Sequence, residues 1–493
     1  LVVSIPCNPV VVRAGIRITG GSTKILLKTV LVRPVIDVSD INSDYDCYCI
    51  APGYPSQQER YRFAFVHPRV ANYNRRNWKT LAIVPKKSGP STERYHEGVR
   101  VLDLNQPDLL TLLTISQSIP IACHSPSPDL YQVLKSKLQN RRVAFWIHGF
   151  DYQPWFFRSV LVKNAKHRIR YRESSRNRMR MWRAISEDLK HSATLVFVSE
   201  YQARQFNCQI ALIQDIDYSV MPNPINTELF EYNEKPVPLS MNVLSLRPYH
   251  NKLYANDLSA NAVAYLSDTL PSFQDYFFAF IGDGPLFEEI TKPLERLTNV
   301  LILKQFLSQS EISVFHKYFG IFLVPSRMDT HGVSRDEAMA SGLVPITTNI
   351  AAIPEFVDQD SGILCPPEDY RSLSNAIERI SSNADLFKRL SSNAANRIKR
   401  TTSEDIVIPK EISLLKGMSN ADERLLLPTK KIVVFGDANL NLMDGSSIWI
   451  SSICESIIIH DPSVCIHVFS KAPLENLEIV NPLLNLGGSV RLI

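Results

Sequence analysis

The chain has no hydrophobic run of eighteen or more residues, so no membrane-spanning helix is expected. Its opening segment, LVVSIPCNPVVV, lacks the basic leader of a signal peptide, and we expect none. The numbering begins at Leu1 and not at Met, as expected for a sequence that starts inside a longer chain. These absences predict a cytoplasmic protein.

The cysteines do not form a metal-binding pattern. Cys47 and Cys49 stand two apart in YDCYCIAPG, which predicts a strand with both thiols on one face. No second cysteine pair and no Cys/His pair at metal spacing accompanies them. We therefore expect all eight cysteines to be buried or idle thiols in a reducing compartment.

The net charge of +5 is too small to indicate a class of partner. A hydrophobic content of 45% with 21% charged residues is typical of a globular protein. A length of 493 residues predicts two to four domains.

Strands and helices alternate regularly from residue 242 onward. Strands that are apolar on both faces, separated by helical stretches, predict a parallel sheet that is covered by helices on both sides. The predicted strands are NVLSL, YFFAFIG, NVLILKQF, IFLVPS, LVPITT and GILCPP. Ligands of such sheets lie outside the carboxyl ends of the strands.

A second α/β unit is predicted before that region, with strands at DCYCIA, RYRFAFVH, WKTLAIVP, IPIACH, RVAFWIHG and ATLVFVS. MPNPINTELF, at 221–230, predicts a hinge because of its two prolines. The predicted domains are an N-terminal lobe at 1–215, a C-terminal lobe at 216–400, a linker at 401–428 and a partial β-α-β unit at 429–493. The last unit is too short for a complete doubly wound domain.

The segment SRMDTHGVSRDEAMASG places Asp329 and Glu337 around Gly332 at a junction between strand and helix. Ser334 and Glu337 match a capping box, in which case Glu337 caps the helix and Asp329 is a solvated acid. The same helix start also offers free amides and a positive dipole end to a phosphate. Gly332 would then allow the backbone to approach the ligand closely.

Two further strand ends carry candidate residues. LSLRPYHNK supplies Arg247 and Lys252, two cations that suit a diphosphate. FIGDGPLFEE supplies Gly282 and Gly284, which predict a close-approach turn into a helix. Each feature alone is equally consistent with surface charge or with simple turn formation.

Together these motifs resemble the retaining GT-B glycosyltransferases, and in particular glycosyltransferase family 4. The family's E-x7-E reads Asp329-x7-Glu337 here, and its G-R-L-x3-K corresponds to the stretch from Arg247 to Lys252. FIGDGPL, EAMASGLVPITT, IPEFV and SGILCPPED follow in the family's order. FWIHGFDYQPWF resembles the loop that bears the family's active-site histidine, here His148. The likeness covers roughly residues 45 to 400.

The resemblance implies a GT-B fold, with two Rossmann-like doubly wound lobes facing across a cleft, and a role for each matching residue. Glu337 would hold the ribose hydroxyls, Asp329 the donor sugar, and Arg247 and Lys252 the departing diphosphate. The amides of Gly332, Val333 and Ser334 would contact phosphate and sugar, and His148 would approach the reacting sugar. Asp329 departs from the family's glutamate by one methylene, and His331 replaces an aromatic or small residue. Both changes leave the donor sugar open.

No metal and no cofactor is expected, because the two cations can carry the charge of the leaving group. The two D-x-D matches, Asp215–Asp217 and Asp358–Asp360, are interpreted as loop acids. A hydrolase with two catalytic carboxylates is disfavoured by the helix-start position of Glu337 and by the nearby cations. His124 also follows an apolar strand, and without the resemblance it would be as good a candidate as His148.

The stretch from Arg158 to Arg183 is strongly basic. Arg168, Arg172, Arg176 and Arg180 recur every four residues and predict one face of a helix. A solvated basic helix and a surface for an anionic membrane or acceptor are both consistent with this pattern. Nucleic acid is disfavoured, since no binding motif is present.

We therefore predict a glycosyltransferase that moves a sugar from a UDP- or GDP-linked donor, with retention, to a glycan or lipid-linked acceptor. It would act in polysaccharide or glycolipid biosynthesis at the inner face of the membrane. The alternatives are a sugar-nucleotide epimerase, a glycogen-synthase-like polymerase and a non-catalytic glycan-binding scaffold with a decayed donor site. FGDANLNLMDGSSIW in the tail resembles the start of another such lobe, as in a tandem enzyme.

Overall fold

The structure is a computed structural model. It describes residues 36, 38, 41, 44–59, 62–139, 141–149, 152–162, 164–189, 192–210, 217–417, 431–435, 438–461, 464–472, 479 and 489–492. The chain divides into two compact units, 1–145 and 146–493. The boundaries predicted from the sequence, at 215, 400 and 428, stay a prediction.

Unit 1 is an α/β unit built on a mostly parallel sheet. Its strands lie in the order β3-β4-β2-β1-β5-β6, and β3 and β4 form an antiparallel hairpin in the described part of the unit. The elements are β1 (Cys47–Ile50), a 3-10 helix (Ala64–Val66), α1 (His67–Arg75), β2 (Thr80–Pro85), β3 (Thr92–His96), β4 (Val99–Leu104), α2 (Gln106–Ile115), β5 (Ile121–His124), α3 (Pro128–Leu138) and β6 (Val143–Ile147).

Helix starts in unit 1 follow local chemistry that the sequence encodes. Asn105 caps α2 by accepting from the Asp108 amide, and Ser127 caps α3 by accepting from the Leu130 amide. A proline stands in the first turn of each helix, where its missing N–H costs nothing. These caps fix where the chain turns from strand to helix.

The predicted strand RYRFAFVH is wrong. Residues 60 and 61 lie outside the described residues, and the remainder forms the 3-10 helix Ala64–Val66 and the start of α1. Phe63 adopts a left-handed conformation with φ 53°, which ends any extended run. Pro68 then occupies the first turn of α1, a position that favours helix.

Unit 2 begins inside β6, and its strands β7 and β8 pair in parallel. Val143–Ile147 and Ala193–Phe197 confirm two of the predicted strands. The elements are a 3-10 helix (Trp155–Leu161), α4 (Ala165–Asp188), β7 (Ala193–Phe197), α5 (Glu200–Ile210) and β8 (Asp217–Val220).

The second sheet of unit 2 has six parallel strands in the order β11-β10-β9-β12-β13-β14. All six predicted strands of this region are confirmed. The strands are β9 (Asn242–Leu246), β10 (Phe277–Gly282), β11 (Val300–Lys304), β12 (Ile321–Leu323), β13 (Val344–Thr348) and β14 (Ile363–Cys365).

Helices cover this sheet on both faces and bury two apolar clusters against it. The α-helices are α6 (Asn256–Thr269), α7 (Phe287–Thr291), α8 (Gln309–His316), α9 (Val333–Ala340), α10 (Ile353–Phe356), α11 (Tyr370–Ser381) and α12 (Ala384–Thr401). Four 3-10 helices accompany them, at Val237–Met241, Lys252–Tyr254, Phe273–Asp275 and Lys292–Leu294. The strands are buried on both faces, which explains why each is a continuous apolar run in the sequence.

Part of the predicted linker is a helix. Residues Glu404–Lys416 form α13, which buries Val407, Ile408, Ile412 and Leu415. The hinge residue Ile225 exchanges backbone hydrogen bonds with Thr402 and Glu404, at 2.8 and 3.0 Å. This stretch was predicted to be a linker because its composition is mixed, but it forms an amphipathic helix that packs on the second lobe. Residues 418–430 of the predicted linker lie outside the described residues.

The predicted C-terminal β-α-β segment is present. It contains β15 (Lys431–Phe435), α14 (Gly445–His460), β16 (Cys465–Phe469) and β17 (Ser489–Leu492), with the strands parallel in the order β15-β16-β17. Its core includes Phe156 and Phe157, and Met328 packs at its edge. The segment thus completes its core with side chains from elsewhere in unit 2.

The thiol prediction is wrong for one pair. Cys208 of α5 and Cys465 of β16 form a disulfide across a sequence separation of 257 residues. Cys47, Cys49, Cys123, Cys365 and Cys454 are buried thiols outside this disulfide, as predicted, and Cys7 lies outside the described residues. A crosslink over a loop of 257 residues is worth about 5.5 kcal/mol in the chain-entropy account.

None of the described helices combines the length and the apolar character that crossing a membrane would require.

Candidate functional site

The second sheet reverses its strand order at β9 and β12. The chain runs outward from β9 through β10 to β11, then returns to the other side of β9 as β12. Ligands of open α/β sheets bind at the carboxyl end of such a switch point. Arg247 follows β9 directly and Ser326 follows β12, and the Arg247 Nη2 lies 3.4 Å from the Ser326 hydroxyl.

Arg247 is a buried cation with little local compensation. Its guanidinium carbon lies 5.2 Å from the ring centroid of Tyr254, which favours a cation over the ring face. Burial lowers the pKa of Arg247, while the charge of Asp329 opposes that shift. A buried guanidinium beside a single shared carboxylate is a strong attractor for an added anion.

Lys252 lies at the start of the 3-10 helix Lys252–Tyr254, and its side chain is exposed. Its carbonyl accepts a hydrogen bond from Arg327 Nη1 at 2.7 Å. Arg327 also pairs with Asp257 and Glu368, each at 2.7 Å. Sequence reasoning missed Arg327, which ties the loop after β12 to the turn that carries Lys252.

Gly282 and Gly284 lie close to the backbone of a neighbouring loop. A Cβ on Gly282 would lie 2.0 Å from the Arg247 carbonyl oxygen, and one on Gly284 would lie 2.3 Å from the Tyr249 carbonyl carbon. Their φ values, 157° and 147°, are also ones that other residues rarely adopt. These glycines therefore pack the loop after β10 against the loop that holds Arg247.

Asp329 sits between Gly332 and Arg335. Its Oδ1 accepts from the His331 amide at 3.0 Å, and its Oδ2 lies 3.6 Å from Arg335 Nη1. A Cβ on Gly332 would stand 2.6 Å from that same Oδ2. Glycine is thus required here so that the carboxylate can fold back toward Arg335.

His331 links the predicted hinge segment to α9. Its Nδ1 accepts from the Asn223 amide at 2.9 Å, so its Nε2 carries the proton and donates to Asp336 Oδ2 at 2.8 Å. Arg335 Nε donates to the other Asp336 oxygen at 2.9 Å. Burial acts to raise the pKa of Asp336, but the charge of Arg335 and the hydrogen bonds from His331 and Arg335 outweigh it and leave that pKa below its ordinary value. Asp336 and Arg335 were not predicted; only the packed helix shows them as a buried pair.

The predicted capping box is wrong. Helix α9 begins after Gly332, its cap has no side-chain hydrogen bond, and Val333 and Ser334 lie in its first turn. Glu337 instead lies buried in the helix and accepts from Gln309 Nε2 at 2.9 Å. Helix α9 has no side-chain cap, and the backbone N–H groups of its first turn have no intrahelical partners.

The pKa of Glu337 is strongly shifted. Burial raises its pKa from 4.5 to about 8, the Gln309 hydrogen bond lowers it, and repulsion from Asp336 raises it further. Groups perturbed by burial in this way are concentrated at functional sites. The carboxyl is therefore suited to a ligand whose donors would stabilise the ionised form.

His148 lies just beyond β6, as predicted, and is half-buried. Its carbonyl accepts from the Thr330 hydroxyl at 3.1 Å. This contact brings the His148 loop next to the loop from Asp329 to Gly332. The alternative candidate, His124, is fully buried, and burial followed by the charge of Arg69 holds its pKa well below the usual value.

Glu355, from the IPEFV phrase, has a role that sequence reasoning missed. Its carboxylate accepts from the amides of Glu200 and Tyr201 at the start of α5 and lies 3.4 Å from Arg204. A carboxylate at a helix N-terminus is stabilised by the free amides and by the helix dipole. Glu355 thus fixes α5 to the second lobe.

The loop-acid prediction is wrong for Asp217, which is the first residue of strand β8. The other described acids and the basic stretch follow their predictions. Asp358 and Asp360 lie in a turn and pair with Arg397 and Arg389, as loop acids do. Asp215 lies outside the described residues. Helix α4 exposes a face of four arginines, while Trp182, Ile185 and Leu189 are buried near its end. The arginines are Arg168, Arg172, Arg176 and Arg180.

Comparison with known proteins places this site in context. Residues 249–397 match the family model of the group 1 glycosyl transferases. The D-inositol 3-phosphate glycosyltransferase of Streptomyces bingchenggensis is 28% identical over 158 residues, which cover 30% of this chain and 34% of that protein. The matched region therefore spans about a third of that relative.

Solved structures extend the likeness to most of the chain. Sucrose-phosphate synthase of Thermosynechococcus elongatus superposes with a TM-score of 0.57 at 14% identity, over 76% of this chain and 99% of that one. The Anabaena protein Alr3699/HepE, in complex with UDP and glucose, gives a TM-score of 0.54 at 12% identity, over 76% and 100% of the two chains. The predicted GT-B fold, with two Rossmann-like lobes, is confirmed.

Proposed function

We propose that this protein is a retaining glycosyltransferase that uses a nucleoside-diphosphate sugar linked to UDP or GDP. The observation that carries the proposal is the group of Arg247, Asp329 and Glu337 at the switch point of the second sheet. The group 1 glycosyl transferase match begins within two residues of Arg247 and includes the other two. The UDP and glucose bound by a structural neighbour support the same donor class.

The charges at the site suit the departure of a diphosphate. As the bond to the sugar breaks, negative charge grows on the leaving diphosphate and positive charge on the sugar ring. Arg247, Lys252 and the free amides of Val333 and Ser334 provide fixed donors for that negative charge. Such preorganised donors lower the barrier because they need no rearrangement during the reaction.

The remaining residues would position the donor. Glu337 would accept hydrogen bonds from the ribose hydroxyls, and Asp329 would accept from the donor sugar. His148 would approach the reacting carbon from the loop that Thr330 holds. Arg335 draws the Asp329 carboxylate toward itself, and the aspartate side chain is one methylene shorter than glutamate. Asp329 would therefore contact the sugar only if the ligand extends toward it or a water bridges the two. With two cations available, the reaction would require no metal.

The acceptor would be a glycan or a lipid-linked glycan in polysaccharide or glycolipid assembly. A glycan-binding scaffold is the second candidate, favoured by one observation, the pairing of Asp329 with Arg335 at 3.6 Å. An epimerase would share the donor site but need no acceptor. Analysis of the products with and without acceptor distinguishes these three.

Nucleoside diphosphates should stabilise the protein against heat. With UDP or GDP at about 100 times its dissociation constant, the free energy of unfolding should rise by about 2.7 kcal/mol. Thermal unfolding would be followed with UDP, GDP, ADP and CMP, each with and without magnesium. We expect either UDP or GDP to raise the unfolding temperature by the same amount with and without magnesium.

Inorganic diphosphate at the same concentration is the control, since it reports non-specific binding to the basic surface. An equal shift with diphosphate alone would argue against a nucleotide site. A shift that requires magnesium would contradict metal-independent transfer. No shift with any nucleotide would favour the scaffold.

We also propose that the arginine face of α4 attracts an anionic membrane or acceptor. Changing Arg168, Arg172, Arg176 and Arg180 together to Gln should abolish co-sedimentation with phosphatidylserine vesicles. Each cation near such a surface is worth about 1 kcal/mol, so four should lower the affinity by roughly 10³-fold.

The matched control removes the same charge from elsewhere in the exposed surface, at Arg371, Arg379, Arg389 and Arg400. This control should bind vesicles nearly as well as the parent. Equal losses in both variants would mean that net charge, and not this face, attracts the vesicles.

A further inference from the structure

Three side chains in unit 1 bring metal-ligating atoms together. His67, His96 and Glu97 each offer one donor atom, and these atoms lie within 4.8 Å of one another. His67 Nε2 lies 3.1 Å from Glu97 Oε2, and His96 Nε2 lies 4.0 Å from Glu97 Oε1. The two imidazole rings meet edge to face, with centroids 4.7 Å apart.

The spacing fits a tetrahedral zinc ion. Zinc binds imidazole nitrogen and carboxylate oxygen at about 2.0–2.2 Å, which separates neighbouring ligand atoms by about 3.4 Å. The two separations to Glu97 fall on either side of that value. Two imidazoles with one carboxylate are also a donor set that zinc prefers.

The surroundings would orient the ligands. The Tyr54 hydroxyl lies 2.9 Å from His67 Nδ1, and Tyr54 itself is buried. If Nδ1 donates to that hydroxyl, Nε2 keeps its lone pair and faces Glu97. Outer partners of this kind fix the orientation of metal-bound histidines. The side chains of the two histidines are only 13% and 18% exposed, whereas that of Glu97 is 74% exposed.

Glu97 occupies an unusual position for its residue type. It is the first residue of the two-residue turn between β3 and β4, and Glu97 and Gly98 have φ values of 45° and 81°. Turns of this type favour Asn, Asp or Gly at that place because the backbone is left-handed. The turn aims the Glu97 carboxylate at both histidines.

We propose that His67, His96 and Glu97 form a zinc site that ties the β3–β4 turn to the start of α1. The fourth coordination position would face solvent on the side of Glu97 and hold a water. This proposal does not depend on the proposed function. The sequence analysis did not identify this cluster, since His67 stands about thirty residues before the other two, outside any ligand-spacing motif.

Zinc binding to the full chain tests the proposal directly. The protein would be stripped with a chelator, its disulfide verified by thiol titration, and zinc titrated in competition with a chromophoric chelator. One zinc ion per chain is expected. His96→Gln should weaken its binding by at least about 100-fold, and Tyr54→Phe by about 10–100-fold, as is typical of outer partners.

Glu97→Gly separates a ligand role from a structural one. Glycine suits the left-handed turn, so the metal-free variant should unfold at the same temperature as the parent or higher. Its zinc affinity should nevertheless fall by at least about 100-fold. An unchanged zinc affinity, or a lowered unfolding temperature without zinc, would show that Glu97 only pairs with the histidines.

A second cluster, Cys208, Cys465 and His467, could also bind zinc once its disulfide is reduced. The control is therefore Cys208→Ser with Cys465→Ser, which should retain the zinc ion. Loss of zinc in this control, or no binding by the parent, would overturn the proposal.

Discussion

Lys252→Ala should lower the rate of sugar transfer by about 10²–10³-fold, the usual result of removing one preorganised donor from a developing anion. The Lys252 side chain is exposed, so the variant should fold like the parent. Its affinity for the nucleoside diphosphate should fall as well. Steady-state rates and titration with UDP and GDP measure both effects.

The effect is expected to be large because the neighbouring cation cannot replace Lys252. Arg247 is buried, packs on Tyr254 and lies against Ser326, so its position is fixed by its surroundings. Arg327 holds the Lys252 backbone by a 2.7 Å hydrogen bond, which fixes the turn that carries the side chain. The two cations would therefore contact different oxygens.

Lys388→Ala is the matched control, because Lys388 is an exposed lysine on α12 and does not follow a strand. It should leave both the rate and the affinity unchanged. If Lys252→Ala also bound nucleotide and transferred sugar like the parent, the assignment of the diphosphate position would be wrong.

Glu337→Gln should remove a pH dependence of stability. Burial raises the pKa of Glu337 to about 8 in the folded chain, against 4.5 for an exposed glutamate. Between those values the folded state retains a proton that the unfolded state has lost. The free energy of unfolding should therefore fall as pH rises from about 5 to about 8, by up to about 1.4 kcal/mol per pH unit from this group.

The measurement compares denaturant unfolding of the parent and of Glu337→Gln at several pH values without nucleotide. Glutamine still accepts a hydrogen bond from Gln309 but does not titrate, so the variant should become more stable than the parent toward pH 8 and above. The exposed Glu289→Gln should follow the parent at every pH. Parallel curves for all three proteins would show that Glu337 is ionised in the folded chain.

A bound nucleotide should reduce this difference. Ribose hydroxyls that donate to Glu337 stabilise its ionised form, which lowers the pKa that burial had raised. The parent in saturating nucleotide should therefore lose less stability as pH rises. This connects the perturbed carboxyl to the ligand that it is proposed to hold.

Much of the second lobe could be predicted from the sequence. All six of its strands were predicted because each is a short apolar run between turn residues, and burial on both faces requires that pattern. Arg247 and Asp329 could be placed at one edge because parallel strands share their carboxyl ends. The errors occurred where local signals were weaker. The stretch before α1 contains β-forming residues, and the N-cap of α9 is Gly332, two residues before the Ser334 of the predicted capping box.

The sequence by itself determined the alternation of strands and helices, and with it the identity of the charged residues that follow each strand. Only the tertiary structure decided what those residues contact. Arg335 pairs with Asp336 and restrains Asp329, Glu337 lies buried against Gln309, and Cys208 meets Cys465 across 257 residues. The physical reason is that periodicity and turn chemistry are local, whereas burial, ion pairing and covalent crosslinks depend on which distant segments pack together.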